Sequence, residues 1–162
     1  MQARTVVTAI GPLALIYSEK GLVKLLMGAD ATTLGASANV FVDPPWVGYA
    51  AKLLEAHFSG ELQTFAELPL DLGLLSPFVS DVYRCLRAVK PGRTVSYREL
   101  ATSVGRPRAA RAVGRAMALN PLPIIIPCHR VVGTNGALTG FSAPGGTATK
   151  AMLLAREHVF GR

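Results

Sequence analysis

Residues 120–133 read Asn120-Pro121-Leu122-Pro123-Ile124-Ile125-Ile126-Pro127-Cys128-His129-Arg130-Val131-Val132-Gly133. Pro123 and Pro127 bracket three isoleucines, which excludes the interior of a helix, where each proline would lose a hydrogen bond and clash with the preceding turn. The expected form is a short, buried, extended run that delivers Cys128 at a bend. His129 and Arg130 beside it are expected to favour the thiolate, the reactive form of cysteine. Two plainer readings compete. A free cysteine is among the most buried residue types and is commonly an inert core thiol. A zinc ligand is weaker still, because two Cys and three His offer none of the paired spacings a tetrahedral site uses, and no metal is expected.

The 162 residues suffice for a small N-terminal lobe, expected over residues 1–70, and a slightly larger C-terminal domain over 71–162. Half of them are hydrophobic and 17% charged, a globular rather than a disordered composition. No apolar run reaches the ~18 residues of a membrane span, and the N-terminus lacks a secretory signal. The expectation is a cytosolic protein with access to the nucleoid, no membrane partner, and free thiols. Cys85 shares a helical stripe with Phe78, Val82, Leu86 and Val89 and reads as core. The net charge of +7 is unevenly spread: residues 84–162 hold 13 of the 17 Lys and Arg and only Glu99 and Glu157 as acids, a net +11, while residues 1–83 carry −4. Such asymmetry is the footprint of a polyanion-binding surface. A generally basic, solvated surface explains the charge alone equally well.

In the N-terminal part, residues 4–9, 13–17 and 21–27 predict strands, with turns at Gly11-Pro12 and Ser18–Gly21, forming a small antiparallel meander. Residues 28–44 predict an irregular connection with one short strand at Val40–Val42. Trp46, Tyr49, Ala50, Leu53, Leu54 and Phe58 recur at helical spacing, so residues 45–58 should form an amphipathic helix covering the sheet. His57 near its end needs no more than the helix dipole as explanation. Residues 65–75 read as a linker.

At Ser76-Pro77 the pattern changes, because Ser caps a helix and Pro suits its first turn. A helix to about Ala88 follows, stopped by Lys90-Pro91-Gly92. Ser96 and Glu99 then have capping-box spacing, and Val95 with Leu100 hydrophobic-staple spacing, which starts a helix at Tyr97 that Gly105 ends. A second helix should run from about Arg108 to Leu119. Two short helices joined by a Gly-containing turn, the second rich in arginine, make a helix-turn-helix. At roughly 100° per residue, Arg108, Arg111 and Arg115 fall within about 60° of one another, with Ala110, Val113 and Met117 opposite. The small residues between them would let the backbone approach a groove closely. After the cysteine segment come a turn at Gly133–Gly136, a loop over 138–146 and a last helix over 147–158. Glu157 on that helix is compatible with an ordinary surface carboxylate, and His158 reads as surface.

Pro127-Cys128-His129-Arg130-Val131, with Asn120-Pro121 upstream and Leu138-Thr139-Gly140 downstream, resembles the active-site signature of the O6-alkylguanine-DNA alkyltransferases (methylated-DNA–protein-cysteine methyltransferases). The resemblance is close over residues 70–158 and general in layout before that. It implies an α/β (α+β) fold: a ribonuclease H-like N-terminal lobe of antiparallel sheet and covering helix, then a mostly helical domain whose helix-turn-helix is of winged-helix type. It implies a repair protein without cofactor that flips O6-alkylguanine, and O4-alkylthymine, out of duplex DNA. The alkyl group then passes irreversibly to Cys128, one chain per lesion. On the same resemblance Glu157 orients His129, His129 takes the thiol proton through a water, Asn120 organises the hinge, and Tyr97 crowds the flipped nucleotide and donates a proton to the leaving guanine. Arg111 is the finger that fills the stack. Arg98, Arg106 and Thr134 would contact DNA, joined by Arg108 and Arg115 from the arginine face of the second helix, and Met117, Pro123, Val131, Phe141 and Ser142 would line the base pocket. The partner is duplex DNA, and a monomer is expected, free or lined up cooperatively along the duplex.

This chain departs from the family pattern in three places. Phe141 stands where a tyrosine is usual, in a slightly longer loop, which bears on whether Ser142 reaches the guanine O6. The N-terminal lobe has no Cys for a structural zinc, and Arg115 occupies a helix position that is often small. From the residues alone, a Cys-His hydrolase acting on an acyl substrate and a helix-turn-helix protein that only binds DNA remain the alternatives. A hydrolase would turn over many times, and a pure binder would not need Cys128.

Overall fold

A computed structural model of the protein describes residues 1–35 and 42–158. The chain divides into two compact units, Met1–Gly73 and Leu74–Arg162.

In the first unit, β1 (Gln2–Thr8), β2 (Gly11–Tyr17) and β3 (Leu22–Met27) form an antiparallel sheet in the order β1-β2-β3. Alternating burial along β1 follows from the two-residue period of a half-covered strand, while in β3 a register shift opposite Ile16 and Tyr17 puts Leu22 and Leu25 both in the core. Helix α2 (Pro45–Phe58) buries Val47, Ala50, Ala51, Leu54 and Phe58, and Trp46 packs edge-on against Tyr17. Three features differ from the sequence reading. A helix, α1 (Ala29–Gly35), occupies the stretch expected to be irregular; Asp30 sits in its first turn and Ala31 is fully buried. The strand expected at Val40–Val42 lies outside the described residues except for Val42, which belongs to no element. Residues 65–71 are a packed part of the unit, not a linker: Phe65 and Leu68 are buried, and the backbone of Pro69 and Asp71 hydrogen-bonds Leu22 on both sides. His57, too, is buried, its Nδ1 accepting from the Gln63 amide between the rings of Phe58 and Phe65.

The second unit is mostly helical. Helix α3 (Pro77–Arg87) begins at Ser76, whose hydroxyl accepts from the Val79 amide. Its core face is Val82, Tyr83 and Leu86, and Cys85 is only half-buried. Strand β4 (Val95–Ser96) leads into α4 (Tyr97–Ser103), where the capping box of Ser96 and Glu99 is complete in both directions. Gly105 turns the chain with φ of 72°, and α5 (Ala110–Ala118) follows. Arg108 precedes α5 instead of belonging to it, because a turn closed by the Ala109 amide on the Arg106 carbonyl takes up residues 106–109. Within α5, Val113 and Met117 face the core while Arg111 and Arg115 face solvent. Strand β5 (Val131–Val132) pairs parallel with β4, which sets the cysteine segment beside the start of α4. Helix α6 (Gly146–Arg156) closes the unit. Among the described residues no helix is long and apolar enough to cross a membrane.

Gly21 makes the closest approach in the first unit, since a Cβ there would stand 2.7 Å from the Pro69 carbonyl carbon and oxygen. Backbone cannot yield as a side chain can. Gly21→Ala is expected to destabilise the protein by about 2 kcal/mol through overpacking, read as a lower urea midpoint at unchanged slope.

Candidate active site

The cysteine segment is a tight loop, not the extended run that the sequence suggests. Asn120 causes the difference. Its side-chain oxygen accepts from the Leu122 amide and its nitrogen donates to the Ile126 carbonyl, while the Ile126 amide bonds the Leu122 carbonyl. These contacts fold residues 120–126 back on themselves and hold Ile124 at φ of 76°, a conformation β-branched residues rarely adopt. Leu122 and the three isoleucines are buried, so the loop carries its own apolar support. Cys128 then opens a short 3₁₀ turn, Cys128–Arg130, whose last residue leads directly into β5.

Cys128 is 3% exposed and lies in the wall of a 240 Å³ pocket shared with Tyr97, Gly114, Met117, Ala118, Gly140, Phe141 and Ser142. Gly114, Met117 and Ala118 belong to α5 and Tyr97 opens α4, so the helix-turn-helix forms much of the wall. Of the five residues expected to line a base pocket, the structure brings Met117, Phe141 and Ser142 to it. Pro123 and Val131 are buried and take no part in that wall; the fold of residues 120–126 and the β4–β5 pairing draw them into the core.

Behind the sulfur lies a buried charged cluster. Glu157, 1% exposed, accepts from Nε2 of His129 at 2.9 Å. It also receives Nε and Nη2 of Arg130 at 3.0 and 2.8 Å and the Gly92 amide at 3.2 Å. Nη1 of Arg130 donates to the Val89 carbonyl. With Nε2–H given to the carboxylate, Nδ1 is the imidazole nitrogen that carries the lone pair and can serve as a base. Arg130 is therefore spent on Glu157, a correction to the expectation that it favours the thiolate. The groups that do so are others. Burial pushes the Cys128 thiol above its ordinary range, and a hydrogen bond from the Asn120 side chain, the charge of Lys150 and the Cys128 and His129 amides oppose that rise.

Lys150 escaped the sequence reading. It is fully buried on α6, its Nζ donates to the carbonyls of Thr139 and Gly140 at 3.1 and 3.2 Å, and it stands 5.8 Å from the centre of the Tyr97 ring. The only available signal was a lysine on the same helical stripe as Leu153, Leu154 and Glu157. The Tyr97 hydroxyl also donates to the Thr139 carbonyl, at 3.1 Å. That proton is thus engaged by the loop in this structure. Arg98, Arg106, Arg108, Arg111, Arg115 and Thr134 are all exposed. No group of three or more His, Cys, Asp or Glu able to hold a metal exists among the described residues.

Residues 2–72 match the 6-O-methylguanine DNA methyltransferase ribonuclease-like domain, and residues 77–159 match the DNA binding domain of the same proteins. The chain belongs to the 6-O-methylguanine DNA methyltransferase family. Among relatives of this methyltransferase family, the methylated-DNA–protein-cysteine methyltransferase of Methanosarcina barkeri is 40% identical over 152 residues, 92% of each chain. The protein of that name from Homo sapiens is 38% identical and covers all of this chain and 83% of its own. Among solved family structures, the O6-methylguanine methyltransferase of Mycobacterium tuberculosis superposes with a TM-score of 0.79 at 37% identity, over 99% of this chain and 94% of its own. A structure of the Mycobacterium tuberculosis protein in complex with DNA gives 0.77 at 36% identity, over 98% and 93%.

In this member of the methyltransferase family the cation whose charge acts on the Cys128 thiol is a lysine that packing conceals. Lys150→Met removes a positive charge that favours the thiolate, so the thiol pKa rises and less thiolate is present at any given pH. Labelling of Cys128 by iodoacetamide at neutral pH should slow by about tenfold, one unit of pKa, and the whole rate profile should move to higher pH. An unchanged profile would mean that Lys150 serves only the loop.

Proposed function

We propose that the protein repairs O6-alkylguanine in duplex DNA by moving the alkyl group onto Cys128. The observation that carries this reading is the placement of the sulfur in a pocket that shares its wall with the helix-turn-helix. A base swung out of a duplex lying against α5 would meet that pocket directly. Extrusion costs a few kcal/mol, least for a base that pairs poorly. Arg111, exposed on α5, fills the gap left in the stack, and Arg98, Arg106, Arg108, Arg115 and Thr134 hold the backbone on either side. O4-alkylthymine offers the same electrophile and is a second substrate.

The chemistry is an in-line displacement. The Cys128 sulfur forms a bond to the alkyl carbon as the bond from that carbon to O6 breaks. His129, oriented by Glu157, takes the thiol proton at Nδ1 through a water, and in the balance one proton passes from thiol to guanine. Tyr97 exchanges its Thr139 acceptor for the leaving base and supplies that proton, and the proton held by His129 then passes through water to restore the phenol. Asn120 and Lys150 stabilise the sulfur's negative charge in a low-dielectric site, where such groups act most strongly. A thioether has no leaving group for water to displace, so the chain is spent after one event. The protein acts as a monomer on DNA inside the cell.

Incubation with an O6-methylguanine duplex should add the mass of one methyl group, in place of a hydrogen, to the peptide containing Cys128, with one event per chain. Repeated turnover would instead indicate a hydrolase. Cys128→Ser should lose transfer and keep DNA binding. Arg111→Ala should weaken binding and slow transfer, and its affinity should fall less steeply with salt, by about one unit of log–log slope if the guanidinium also neutralises a phosphate. Transfer lost at unchanged affinity would contradict the place given to Arg111.

A further inference from the structure

Tyr83 lies on α3, outside the pocket wall, and is buried. Its hydroxyl donates to the carbonyl of Ala116 at 2.8 Å. That carbonyl is in the last turn of α5, where helical acceptors lose their partners: the Asn120 amide bonds Met117 instead, and Pro121 has no N–H to offer. The phenol therefore caps the end of α5 from the side. Burial, and then the nearby Cys128, push its pKa up to about 12, so it remains a donor at every physiological pH and stands close enough to the sulfur to feel its charge. The capped turn carries Met117 and Ala118 of the pocket wall and runs straight into Asn120, whose side chain both shapes the cysteine loop and bonds the sulfur.

We infer that Tyr83 is a positioning residue for alkyl transfer, bracing the end of the DNA-facing helix so that docking of α5 sets the base pocket and the Cys128 sulfur in register. The brace acts on the helix end and on Asn120; Tyr83 itself touches neither DNA nor base. This inference rests on the alkyl-transfer reading above, and the two fail differently.

The test is Tyr83→Phe, which removes one hydroxyl and keeps the ring that fills the core. At saturating O6-methylguanine duplex, the single-turnover rate of methyl transfer should fall about fivefold, the worth of one hydrogen bond, while the dissociation constant for DNA stays within experimental error. Hydrogen exchange should quicken at the amides of Leu119, Asn120 and Leu122 and remain unchanged in α3 and α4. A loss of stability without a role in positioning would lower the melting temperature yet leave the saturated rate alone, and that result overturns the inference. So does a rate loss that tracks weaker DNA binding, or an unaltered exchange pattern at 119–122. Failure of the unmodified protein to transfer any methyl group would instead remove the alkyl-transfer reading itself.

Discussion

A carboxylate withdrawn from water has to find its full set of donors inside the protein, and Glu157 finds four. Breaking such a buried pair by removing one partner commonly costs 3–5 kcal/mol, so the elements that supply the donors are held in one arrangement. Those elements are the turn after α3 through Gly92, the 3₁₀ turn through His129 and Arg130, and the end of α6 through Glu157 itself. The cysteine is the first residue of that turn. Its place in the second unit is thereby fixed by a neighbouring ion pair as well as by its own amide's bond to the Ile126 carbonyl.

The same pairing divides the local charges. Arg130 and His129 share the Glu157 carboxylate, and the Nε2 contact turns Nδ1 of the imidazole to the other side of the ring. Lys150 is the cation that remains for the sulfur. Its three hydrogens have two loop carbonyls as acceptors; burial lowers its pKa, and the neighbouring Cys128 opposes that fall. Asn120 contributes a neutral donor, attached to the end of α5. The sulfur thus answers both to a charge on α6 and to an amide tied to the helix that borders the pocket.

Much of this architecture was legible from local rules. Ser76, the reciprocal pair Ser96 and Glu99, and the glycine after α4 act within one turn of chain, and each marks its boundary where the structure has it. The meander and α2 were legible for a related reason, because a sheet or helix with one covered face repeats its apolar residues with the period of the element. What escaped depends on distant partners. Residues 65–71 are ordered by Leu22, far back in the chain, and α1 is too short and too poor in large apolar residues to show a period. Arg130 stands two residues from Cys128 and Lys150 twenty-two residues away on another helix, and only packing shows that the nearer one serves the carboxylate and the distant one the sulfur. Asn120 was recognised through family resemblance, but its bending of three isoleucines into a tight loop runs against their own preference for extended backbone.

Cys128 has 3% of its surface open to solvent, and the pocket is where it meets the outside. Peroxides, metals and stray electrophiles encounter a sulfur only at the rate that its shelter permits. A reagent that can be used once must still be intact when its rare target arrives, and depth in the fold gives this thiol shelf life.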